Sequence, residues 1–321
     1  MRDHQTSNDR DSHTDLVDEI WLLGQPPLRR YLEFMDVMGA QDSIRSRAAL
    51  IDEWRIANDH YGLLEVSEAG AADAIQTMSL PPELSNAAAY ILDSPYCRRT
   101  LGALPATIEM VELDRLVVFQ RNVTADFIDG LKVQLGPAPD SSQIFKFCFP
   151  SESPDAEVQM RQVGSQRFIF QSTSSDFRFH EAHVVRATQI SGLDPIGPIS
   201  AIVSLMVGFG SNLLNAIRVD NRLLLHNGYH RACALRDAGI SYAPCLVQHT
   251  TRHDELQVVA PREVVEDAAF YFRSRRPPLL KDFFDPKVSK RIRAKRRVKT
   301  VELRIDVEQS WLPSASRIHL D

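Results

Sequence analysis

Between Asn221 and Gln248 the chain reads NRLLLHNGYHRACALRDAGISYAPCLVQ, with its polar chemistry gathered at one point. His226, Asn227, Gly228, Tyr229, His230 and Arg231 stand where an apolar strand runs into a helix-like segment. Two imidazoles, an amide and a guanidinium around a glycine exceed what a simple turn needs. A helix starting at or just after Gly228 leaves its first N–H groups without intrahelical partners and presents its positive dipole end, which is the physical basis of anion binding. Gly228 lets a ligand approach the backbone, and Arg231 can grip a phosphate through two parallel hydrogen bonds. The same residues also suit a purely structural turn. Asn-Gly is a common turn former, and a first-turn arginine can pair with a carboxylate such as Glu181.

Other groups invite chemistry with less support. Gly208-Phe209-Gly210-Ser211-Asn212 reads either as a second anion loop, with the amides and the Ser211 hydroxyl as donors, or as a glycine-rich helix end. His180-Glu181-Ala182-His183 lacks the helical H-E-x-x-H spacing of a zinc site, and on a strand its two imidazoles face opposite sides. Glu181 is the candidate general base or magnesium ligand, with Asp176 and Arg178 as alternatives. The four cysteines are widely spaced and read as buried free thiols. From Lys287 to Lys299 there are eight Lys or Arg and no acid, so the remainder carries −13 against −5 for the whole chain. Lys290, Arg291, Arg293, Arg296 and Arg297 could follow a phosphodiester backbone. Without interleaved aromatics such binding would be salt-sensitive and blind to sequence, and docking of the run on the chain's own acidic surface is the competing reading.

The elements that must position these groups follow from periodicity. Residues 1–14 read as a disordered lead and 15–104 as a helical region. Leu16, Val17, Ile20 and Trp21 recur at helical spacing, and further helices are expected after Pro27, from Ser43 and after Pro82. A mixed α/β core is expected over 105–260: strands at Val111–Phe119, Ile144–Phe149, Arg167–Phe170 and Phe177–Val185, a helix capped by Thr124, and a helix over Ile199–Val207. The hairpin Asn215–Val219 and Arg222–His226 then leads into the polar turn, a helix and a last strand. Residues 261–321 read as a helical stripe, an ordered segment at Arg276–Phe284, and a basic extension ending in a half-buried strand. The fold class is α+β.

The segment Asn215–Gln248 resembles the core of the ParB/sulfiredoxin superfamily. It shares a strand pair ending in Asn-Gly-Tyr-His-Arg, an Ala-rich helix closed by Ala238-Gly239, and a strand after Pro244. Val111–Leu116 followed by Gln120-Arg121 is similar to that family's opening strand. The resemblance implies a nucleotide pocket for ATP, ADP or CTP with Mg2+, in which Gly228, His230 and Arg231 hold phosphates. The implied activities are those of an NTPase or phosphotransferase. Tyr229 stands where sulfiredoxins carry their cysteine, so sulfinate reduction does not transfer. Neither a Glu-Asn-x-x-Arg motif nor a helix-turn-helix follows, which weakens a chromosome-partition role.

Composition sets the remaining expectations. A hydrophobic content of 44% and a charged content of 25% in 321 residues suit a globular chain with a sizeable core. No apolar run approaches the roughly 20 residues of a membrane span, and no secretory h-region follows Met1. A cytoplasmic protein that binds a nucleotide or another phosphorylated small molecule is expected. Nucleic acid on the basic run and a homodimer are the further partners considered.

Overall fold

The computed structural model describes residues 16–40, 45–73, 75–150, 157–174, 176–186, 197–210 and 212–311. The chain divides into two units, Met1–Ser153 with Ser211–Arg296, and Pro154–Gly210 with Arg297–Asp321. These divisions do not follow the expected boundaries at 104 and 260. The first unit begins with β1 (Leu16–Leu22), α1 (Leu28–Met38), α2 (Arg47–Ser67), β2 (Thr77–Met78), α3 (Ser85–Asp93) and α4 (Pro95–Leu101). It continues with β3 (Ala106–Glu112), β4 (Asn122–Thr124), α5 (Ala125–Leu135) and α6 (Ser141–Cys148). The second unit supplies β5 (Gln159–Gln162), β6 (Arg167–Ser172), β7 (Phe177–Arg186) and β8 (Ala201–Phe209). The first unit resumes with β9 (Asn215–Val219), β10 (Arg222–Asn227), α7 (Tyr229–Asp237) and β11 (Tyr242–His249). After α8 (Leu256–Val259), α9 (Arg262–Glu266), α10 (Ala268–Arg273) and β12 (Ser289–Lys295), β13 (Lys299–Arg304) returns to the second.

The core of the first unit is a five-stranded sheet in the order β10-β9-β11-β3-β2, with β9 and β11 parallel and the other pairs antiparallel. Strands β9 and β10 form the expected hairpin, with Asp220 at φ 52° in its turn. Helix α7 then carries the chain to β11, beside β9. Tyr229, Arg231, Ala232, Cys233, Ala234 and Leu235 are all buried, because small side chains let this helix sit among α5, α6 and the sheet. Gly239, at φ 82°, closes the helix, with the Ile240 N–H bonded to Leu235 C=O at 3.0 Å. The expected strand Val111–Phe119 is interrupted by a 3-10 turn at Leu113–Arg115. Beyond it, Val117 exchanges backbone hydrogen bonds with Leu223 and Leu225 and so extends the sheet past β10.

Three expected elements change type. The helix expected from Asp15 is instead the strand β1, the centre of a sheet β12-β1-β4. Trp21 joins one apolar cluster while Ile20 and Leu22 belong to another, so burial on both faces conceals the period of two. The expected strand Ile144–Phe149 is helix α6, started by an Asp140–Gln143 capping box. The expected helix Ile199–Val207 is strand β8, consistent with its β-branched residues. Thr124 occupies the N-cap of α5 without making a side-chain cap bond.

The basic run is not an extension. Strand β12 lies antiparallel to β1, from Leu16 opposite Lys295 to Leu22 opposite Ser289. Ile292 and Ala294 are buried on one face, Arg291 and Arg293 are exposed on the other, and Lys290 bonds Glu53 at 2.6 Å. Residues 1–14 lie outside the described residues. The second unit holds the sheet β13-β6-β5 and the two-stranded hairpin β7-β8. Among its described residues only Ser172 and Phe177 are buried. Within the described residues no helix is long and apolar enough to cross a membrane.

Candidate functional site

The polar turn lies where β10 meets α7. Gly228 is in the left-handed region at φ 90°, and a Cβ there would fall 2.8 Å from Leu214 Cδ1 and 3.0 Å from Leu214 Cα. Glycine is therefore required by backbone conformation and by Leu214, whatever approaches from outside. The Gly228 N–H donates to Asn227 Oδ1 at 2.8 Å, and no side chain caps α7.

The other side chains of the motif bond inward. Tyr229 donates its hydroxyl proton to Leu225 C=O at 2.8 Å and accepts the Phe119 N–H at 3.1 Å. Burial raises its pKa well above the usual phenol range, so the group is a neutral clasp between β10 and the strand-like stretch before β4. His230 accepts the Thr124 N–H on Nε2 at 3.0 Å and meets the Phe127 ring edge-on at 5.0 Å. Burial, aided by the charge of Arg231, lowers its pKa to about 4, and the accepted bond requires the neutral imidazole. His230 is therefore not a charged phosphate donor at neutral pH.

Arg231 is buried and donates to Asn212, to the backbone carbonyl and at 2.7 Å to Oδ1, with Phe147 beneath its guanidinium at 6.0 Å. The suggested partner Glu181 belongs to the second unit, where its carboxylate meets His183 Nε2 at 2.8 Å. There, a bulge between Phe179 and Glu181 offsets His180 from the ladder. Gly210 is also in the second unit. Its N–H donates to Asp176 C=O at 2.9 Å, and the Arg178 guanidinium occupies the space a side chain would need. Ser211 lies outside the described residues. Gly208 is part of β8, not of a helix end.

No family model, curated protein or solved structure matches the chain. Its chemistry rests on geometry alone. Among the described residues no three His, Cys, Asp or Glu side chains gather as a metal site. All four cysteines are free and buried, and burial pushes their thiols up, so none is poised as a thiolate.

Two features near the turn were not evident in the sequence. Asn215, opposite Asn227 in the hairpin, puts Nδ2 3.3 Å from His226 Nδ1, and its buried Oδ1 has no hydrogen-bond partner. Asn212 is the partner of Arg231, a link that the Gly208–Asn212 stretch does not disclose. In the sequence Asn215 is visible only as the polar first residue of an apolar strand, and Asn212 only as a polar residue three positions before it. Elsewhere in the first unit an open depression of about 480 Å3 is lined by Glu68, Gly70, Glu112, Asp114, Arg115 and Lys281. Its charges are paired in place, Glu68 with Lys281 at 2.8 Å, Arg115 with Glu112 at 3.0 Å and Asp114 with Arg236 at 2.7 Å. None of the motif residues lines it.

Proposed function

We propose that the chain is a nucleotide-binding protein of ParB/sulfiredoxin-like type that receives phosphate at the N-terminus of α7. The observation that carries this reading is the start of α7 at Gly228, directly after β10 and without a side-chain cap, with Arg231 in the first turn of the helix. Backbone N–H groups and the helix dipole supply the anion's partners. Arg231 adds positive charge and stays oriented by Asn212, while His230 and Tyr229 hold the turn's shape. Magnesium would enter with the phosphates, which supply most of its oxygens in such sites.

Calorimetric titration of ATP, ADP and CTP with Mg2+ tests the reading. The wild-type protein is expected to bind at least one of them, and Arg231→Ala to weaken that binding about 10-fold or more. Arg231→Lys, which keeps the charge, separates loss of the anion contact from loss of the Asn212 bond. No binding by the wild type, or equal affinity in wild type and Arg231→Ala, would sink the proposal.

A second reading draws on one face of β12, where Arg291, Arg293 and Lys295 are exposed together. It takes nucleic acid as the partner. The five basic residues of the sequence reading do not all share that face: Arg291 and Arg293 do, Lys290 points to Glu53, and Arg297 belongs to the second unit.

A further inference from the structure

Strand β8 has the sequence of a strand covered on every side and the exposure of one covered on none. Its residues AIVSLMVGF include no charge and a single hydroxyl, the composition of inner strands whose two faces are both packed. Yet none of the nine is buried. Val203 is 63% exposed and Met206 44% exposed, and because their positions differ by an odd number they project from opposite faces of the hairpin.

Its only strand partner among the described residues is β7, so its outer edge carries an unpaired row of backbone groups. A two-stranded hairpin gains independent stability only with further strands or a packed face. The described residues of its unit provide little core, since Ser172 and Phe177 alone are buried there.

The distribution of charge within the hairpin identifies what covers it. Arg178, His180, Glu181, His183 and Arg186 all stand on β7, and β8 has no ionisable side chain. Charges normally guard the edge strand of a sheet, where they block further pairing. In this hairpin both strands are edges, and the charges guard only the β7 edge, which leaves the β8 edge unguarded. That pattern fits a four-stranded sheet in the order β7-β8-β8′-β7′, with apolar strands inside and charged strands at both rims.

We propose that β8 pairs antiparallel with β8 of a second copy of this chain, forming a two-fold dimer through a continuous sheet. Self-pairing is favoured because the partner edge must itself be apolar and uncharged, and a two-fold joint between two β8 strands brings no like charges together. Two nine-residue strands exchange about nine backbone hydrogen bonds, close to the roughly ten of a typical specific interface. The joint is closed, so association stops at two. This inference does not depend on what α7 binds.

Sedimentation of the full chain over a dilution series tests it, with Val203→Lys/Met206→Lys as the edge-blocking variant. The wild type is expected as a reversible dimer. The double variant weakens self-association about 100-fold or more, because four ammonium groups would have to be accommodated at the joint. Met160→Lys on β5, an exposed residue of the unit's other sheet, leaves the dimer intact. Hydrogen exchange supplies a readout that does not depend on the variant's folding: wild-type β8 amides are protected at high concentration and lose protection on dilution. A wild type that is monomeric throughout, that grows beyond a dimer, or that loses its dimer with Met160→Lys but not with the double variant overturns the proposal.

Discussion

His230 illustrates how a residue chosen for one chemistry serves another. Its Nε2 is the acceptor for Thr124, and burial holds its pKa near 4. As the pH falls below about 6.5 the unfolded imidazole takes up a proton that the folded one refuses until about pH 4. The contribution to stability is therefore complete above pH 6.5 and declines through that window, by on the order of 3 kcal/mol in all. Denaturant titrations from neutral pH to pH 4 should show a shallower decline in His230→Gln than in wild type. Parallel curves for the two proteins would mean that the imidazole titrates normally and that the Thr124 bond does not hold it neutral.

At the scale of elements, the basic run shows how strand position outranks charge. Ile292 is buried in a cluster with Trp21, Tyr31 and Met35, while Arg293, one residue on, is exposed. Replacing Ile292 by Ala should cost about 2–4 kcal/mol, from lost transfer energy and the cavity left behind. Arg293→Ala should stay within about 0.5 kcal/mol. Guanidinium unfolding of the two variants checks both values, and comparable losses would contradict the observed register. The same logic explains why β1 was hidden. Its residue Glu19 is buried among apolar neighbours because Asn122 Nδ2 donates to it at 2.6 Å and Thr124 Oγ1 at 3.3 Å, a pairing that no window around Glu19 contains.

Across the first unit, a buried ion network joins early and late parts of the chain. Arg276 is 1% exposed and bonds Asp282 through two nitrogens, Glu68 at 2.9 Å and the Tyr61 ring face at 5.3 Å. Burial alone would lower its pKa, but the hydrogen bonds and charge of Asp282 outweigh this and hold the guanidinium above the usual arginine range. Removing one partner leaves the other charge buried. Arg276→Leu should cost about 3–5 kcal/mol, and adding Asp282→Leu should recover much of that loss. A double-mutant cycle by chemical denaturation measures the coupling, and strict additivity would show that the two charges are independent. The bond from Tyr61 to the Arg276 carbonyl, at 2.6 Å, ties α2 to the same segment, so the expected ordered stretch Arg276–Phe284 is an internal tie of this unit.

The sequence alone determined the order of strand, polar turn, Ala-rich helix and strand from Asn215 to Gln248. Its signals are local: apolar runs, a glycine where φ must be positive, and a glycine stop after the helix. It also determined the α+β class and the burial of the thiols. The tertiary structure decided what the polar groups do, since the partners of His230, Arg231 and Glu19 lie on segments that only folding brings together. It likewise decided that Ile144–Phe149 is helical and Ile199–Val207 extended, because short apolar runs carry no period able to separate the two forms. The motif therefore defined a helix start, and the folded chain left its backbone end, rather than most of its side chains, as the feature with which an anion could bond.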